Sequence, residues 1–141
     1  MPVTTSIENG WQAPPESKFK LNFDAAIFSA LGCSGMGVII PNEKGEVMGA
    51  MSARGPSVND SLGAEALACH RALDFAVDIG FSDLIIEGDS VQVMNEIMFR
   101  KADLSRLGHV FEDIQVLISL LNWAEVEWVN QKANSIAHSL R

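Results

Sequence analysis

The sequence predicts an α/β domain built on a mixed five-stranded sheet, with an antiparallel meander of three strands first and helices on both faces. Three observations predict it. Apolar residues alternate over 19–28 and again over 122–129. The period lengthens to that of a helix over 59–80. A short, unbroken apolar run, LIIEGD, is followed at once by a second helical pattern. Alternation marks a strand, the longer period a helix lying on the sheet, and the unbroken run a strand covered from both sides.

The elements follow in order. Residues 1–17 are polar and end in WQAPPES, where Pro14 and Pro15 stiffen an extended lead-in that Trp11 pins to the domain of residues 18–141. In FKLNFDAAIF, Phe19, Leu21 and Phe23 fall on one side and Lys20, Asn22 and Asp24 on the other. GMGVIIPNEKGEVMGAMSA reads as two strands about a turn at PNEKGE. Short connections make these three strands antiparallel. The helix of 59–80 has Asn59 or Asp60 to cap its start, Gly80 just past its end, and Leu62, Ala66, Leu73, Ala76 and Val77 as its apolar stripe. FSDLIIEGD is the fourth strand, SVQVMNEIMF a helix, LGHVFEDIQVLISLL a longer one, NWAEVEWV the fifth strand and KANSIAHSLR a short closing helix. The order is βββ-α-β-αα-β-α, with the helices as crossovers on the sheet faces.

A chain of 141 residues, 48% hydrophobic, suits one domain with a real core. A net charge of −8 argues against a protein that coats nucleic acid. It leaves room for a nucleic-acid enzyme that holds cations in an acidic cleft. Cys33 and Cys69 lack the spacing of a zinc site or a disulfide framework and read as two reduced, buried thiols. No apolar run of about 18 residues suggests a membrane span. The first ten residues lack the basic and apolar regions of a secretory signal. An intracellular protein, cytoplasmic or nuclear, and a monomer, is expected.

Three carboxylates stand out by position: Asp24 on the first strand, Glu65 in the first helix among Ala64, Ala66 and Ala68, and Asp89 where the fourth strand hands over to a helix. Singly, each has a plain reading as a strand-end charge, a solvated helix residue and a helix cap. Their setting changes that. WQAPP, KLNFDAA, AEALACHRAL, IIEGDSVQVM and WVNQKANSIAHSL occur in this order over residues 11–141. Together they resemble the plant ribonuclease-H-like (reverse-transcriptase-like) domain of the ribonuclease H fold superfamily.

The resemblance implies a divalent-metal-dependent endonuclease that cleaves the RNA strand of RNA–DNA hybrids. Asp24, Glu65 and Asp89 fall on three of the family's four acidic metal ligands, and His138 falls on the fourth. Two Mg²⁺ ions would be held with substrate bound, or Mn²⁺, which a histidine ligand tolerates better. Asn134, one helical turn before His138, and the basic group Arg100, Lys101 and Arg106 are the candidate substrate contacts. A hybrid would be recognised by groove shape and 2′-hydroxyls, with affinity falling steeply as salt rises. The histidine in fourth place, the absence of a histidine in VNQKA and the sparse basic surface leave a second class open: a catalytically degenerate domain that binds nucleic acid or a protein. A flavodoxin-like reading is opposed by the opening meander, because doubly wound folds begin β-α-β.

Overall fold

The computed structural model describes residues 3–7, 18–55, 61–99 and 107–130. Alternation over 19–28 becomes β2 (Phe19–Phe28), and a 3₁₀ turn at Ser29–Leu31 leads into β3 (Cys33–Pro41). The turn that follows is organised by Asn42, whose Oδ1 accepts the amides of Lys44 and Glu46, both at 2.9 Å. Gly45 supplies the positive φ, 80°, that the turn requires before β4 (Val47–Gly55). Then come α1 (Ser61–Asp78), β5 (Asp83–Gly88), α2 (Val91–Phe99), α3 (Gly108–Ser119) and β6 (Trp123–Trp128). The five strands of the sequence reading are all present.

A sixth strand precedes them. Val3–Ile7 forms β1, parallel to β6, within the segment read as a lead-in. The sheet order is β1-β6-β5-β2-β3-β4. Neighbours from β1 to β2 are parallel, and β2, β3 and β4 form the antiparallel meander. Trp11, the Asn59/Asp60 cap and the closing helix over KANSIAHSLR lie outside the described residues.

Side-chain alternation divides the sheet into two unlike faces. Leu21, Phe23, Val38, Ile40, Leu84, Ile86, Ala124 and Val126 join the buried faces of α1, α2 and α3 in one core. Helix α1 contributes mostly small residues to it, among them Ala66, Ala68, Ala72 and Ala76, so its backbone lies close to the strands. It ends in a Schellman motif: the Phe81 amide bonds to the Ala76 carbonyl at 3.0 Å, the Gly80 amide to Val77 at 3.1 Å, and Gly80 takes a φ of 101°. The other sheet face carries Lys20, Asn22, Glu87 and Glu127, all buried. Cys69 is buried in the core, whereas Cys33 at the start of β3 is only half-buried, and both are free thiols. Among the described residues no helix is long and apolar enough to cross a membrane.

Candidate metal centre

The site lies where two parallel strands part company. Strands β2 and β5 pair from Phe19↔Leu84 to Asn22↔Glu87. Beyond that rung β5 stops at Gly88, while β2 runs on against β3 with Asp24 opposite Gly37. The result is a crevice outside the carboxyl end of a parallel strand, the usual ligand position in open α/β sheets.

The peptide around Asp89 is held from three directions. A Cβ on Gly88 would sit 2.7 Å from the Phe23 ring and 3.0 Å from Met94 Sδ, so only glycine allows this approach. The indole Nε1 of Trp128 donates to the Asp89 carbonyl at 3.0 Å. The next residue, Ser90, rather than Asp89, caps α2. Its Oγ accepts the Val93 amide at 3.3 Å and its carbonyl accepts the Met94 amide at 3.0 Å. The Asp89 carboxylate is therefore not the helix cap.

Helix α1 packs on β2 and brings the third acid. Asp24 is 3% exposed and Glu65 is 9% exposed, so Glu65 is not the solvated helix residue of the plain reading. Asp24, Glu65 and Asp89 each offer a carboxylate oxygen, and these oxygens lie within 4.8 Å of one another. The Ala25 amide donates to Asp24 Oδ1 at 2.9 Å and fixes that side chain. Glu65 Oε2 is buried without a hydrogen-bond partner.

The electrostatics follow from that crowding. Burial pushes the Glu65 carboxyl up to about 8, and the charges of Asp89 and then Asp24 add to the effect; the Ala25 amide opposes it. Burial also raises the Cys69 thiol, one turn along α1, with Glu65 contributing. A raised carboxyl beside two further carboxylates at a strand end is an arrangement that functional sites use. The donor set fits a hard divalent cation: three oxygen ligands, net negative charge, and one buried oxygen with no donor of its own. A proton on Glu65 and a cation in the cluster are alternative ways to relieve the same repulsion.

Position in the sequence drew notice to these three acids, and the family resemblance turned them into a candidate site. Gly88, Ser90 and Trp128 drew none, although a glycine set between two acids at the end of an apolar run was a usable signal for the first. His138, Asn134, Arg100, Lys101 and Arg106 lie outside the described residues.

The fold recurs in solved structures. Ribonuclease H1 of the halophilic archaeon Halobacterium salinarum NRC-1 superposes with a TM-score of 0.79 over 88% of this chain and 94% of that one, at 21% identity. The N-terminal ribonuclease H domain of rv2228c from Mycobacterium tuberculosis gives a TM-score of 0.74 over 87% and 89%, at 23% identity. LC11 ribonuclease H1, in complex with an RNA/DNA hybrid, gives 0.76 over 86% and 92%, at 20% identity. The fold is that of ribonuclease H. By sequence, the chain belongs to the reverse transcriptase-like family, whose model matches residues 22–140. A search of curated proteins gives no match.

Proposed function

We propose that this protein is a divalent-metal-dependent endonuclease that cleaves the RNA strand of RNA–DNA hybrids. One observation carries the reading: Asp24, Glu65 and Asp89, far apart in sequence, place carboxylate oxygens within 4.8 Å of one another at the end of a parallel strand. The ribonuclease H fold and the hybrid bound by LC11 ribonuclease H1 support the choice of substrate.

In this reading the three acids hold Mg²⁺ or Mn²⁺, with His138 in the fourth position. The metal, when bound, activates a water and stabilises the leaving 3′-oxygen of the phosphodiester. The chain's own groups prepare the site. Asp24 is oriented by the Ala25 amide. The Asp89 backbone is anchored by the Trp128 indole. Glu65, on a different layer, gives up its proton when the cation arrives. Asn134 and the Arg100, Lys101 and Arg106 group contact the hybrid backbone.

A second reading, a degenerate domain that binds without cutting, is favoured by the imidazole of His138 where the family carries a carboxylate. Cleavage of a labelled hybrid at low salt, in Mg²⁺ and in Mn²⁺, with RNA–RNA and DNA–DNA duplexes as controls, separates the two. Hybrid-only cleavage that vanishes in Asp24→Asn supports the endonuclease. A folded protein that binds the hybrid, cuts nothing in either metal and starts to cut in His138→Asp supports the degenerate domain.

A further inference from the structure

We infer that Lys20, Asn22 and Glu87 are positioning residues for the metal centre: they lock β2 against β5 in the one register that sets Asp24 beside Asp89. The inference rests on the metal reading above. Lys20 Nζ lies 2.7 Å from Glu87 Oε2, and Asn22 Nδ2 donates to Glu87 Oε1 at 3.1 Å. All three side chains are at most 2% exposed. Lys20 also lies 4.0 Å from Glu127 Oε2, and Glu127 pairs with Glu87 across β5 and β6. The set thus ties three strands together one rung below the carboxylates, with Asn22 two residues from Asp24 and Glu87 two residues from Asp89.

The apolar face cannot do this alone. Phe19, Leu21 and Phe23 meet Leu84 and Ile86 across the same pair of strands. Their period is two, so a slip of two residues still sets apolar against apolar. Such a slip carries Asp24 along β2 by about 6.6 Å. That exceeds the 4.8 Å within which the three acids must converge. Slipped one way, Asp24 replaces Asn22 opposite Glu87; slipped the other way, Lys20 does; either way the Asn22–Glu87 bond is lost. A buried ion pair adds little net stability compared with packed apolar residues, and its best-attested use is to fix register. Here the register it fixes is the geometry of the site.

The test uses Lys20→Met, Glu87→Leu and the double variant, with Asp24→Asn as the reference for a lost ligand. Mn²⁺ affinity is read from the free-ion signal in electron paramagnetic resonance, and stability from urea unfolding of the same samples. Each single variant strands a buried polar group and loses stability. The double variant replaces the pair by apolar side chains and recovers part of the lost stability, since Asn22 still lacks its acceptor. Its Mn²⁺ affinity nonetheless stays about tenfold or more below wild type, the usual consequence of losing a ligand's support. A stable double variant that binds Mn²⁺ as tightly as wild type would overturn the positioning role and leave the metal reading intact. Wild-type protein that binds no Mn²⁺, or binds it no better than Asp24→Asn, would overturn the metal reading and the inference together.

Discussion

Two clusters of buried acids lie within a few residues of each other and solve the same problem differently. Around Glu87 and Glu127 the chain supplies its own cation, Lys20, at 2.7 Å and 4.0 Å. Asp24, Glu65 and Asp89 instead bring three carboxylate oxygens within 4.8 Å of one another. The first cluster is closed around Lys20, with burial and acidic neighbours pushing Glu127 up to about 9. The second is open: its three converging oxygens are a donor set for a divalent ion. The difference teaches that burial of acids is not by itself a sign of a site. What marks the site is the convergence of three carboxylate oxygens from separate elements on one point.

The largest expected effect attacks the open cluster directly. Asp24→Asn removes a ligand and should lower hybrid cleavage by about a thousandfold, equivalent to roughly 4 kcal/mol of barrier, measured under single-turnover conditions. The same substitution should leave the metal-free fold at least as stable as wild type, because it relieves repulsion. The closed cluster should behave in the opposite way. Lys20→Met leaves Glu87 buried without its cation and should cost about 3–5 kcal/mol in urea unfolding. If Lys20→Met proved harmless to stability and Asp24→Asn unfolded the chain, the contrast between the clusters would be wrong.

Acidity offers a gentler probe. Glu65 holds its proton to about pH 8 in the folded chain, against an ordinary value of 4.5. Folding is therefore favoured by this group below about pH 4.5, and that contribution is lost as the pH rises through 8. Glu127 has the same sign, with its loss extending through about pH 9. Metal-free protein should become less stable from pH 5 to pH 9, as denaturant melts at successive pH values will show. Mn²⁺ must displace the Glu65 proton, so its affinity should rise by up to about tenfold per pH unit below 8 and level off above it. Calorimetry in buffers of different ionisation enthalpy should count close to one proton released near neutral pH. The smallest change is Trp128→Phe. It keeps an aromatic side chain, though a smaller one, and loses the hydrogen bond to Asp89, for about 1 kcal/mol of stability and a severalfold weaker Mn²⁺ affinity.

Much of this was legible in the chain itself, because the signals were local. Alternation in FKLNFDAAIF, the glycine after the first helix and the apolar run before Asp89 each depend on neighbours within a few residues. They were enough to place five strands and three helices, while the three acids became a site only through the ordered family motifs. What escaped was either weakly patterned or long-range. VTTSI carries only Val3 and Ile7 as apolar residues and does not read as a sheet strand, yet it pairs with all five residues from Ala124 to Trp128. Lys20 and Glu87 are 67 residues apart, and nothing beside either names the other. Asp89 and Ser90 are both good helix caps on paper; the choice between them was made by Gly88 and Trp128, which pin the Asp89 peptide at the strand end.

Glu65 belongs to the helical layer and Asp24 and Asp89 to the sheet, so a bound ion would be shared between layers. Such an ion would act as a removable rivet between α1 and the strands beneath it. At a free concentration one hundred times its dissociation constant it would add about 2.7 kcal/mol to the folded state. The melting temperature would then track the divalent-ion concentration of the solution, whether or not a nucleic acid is ever cut.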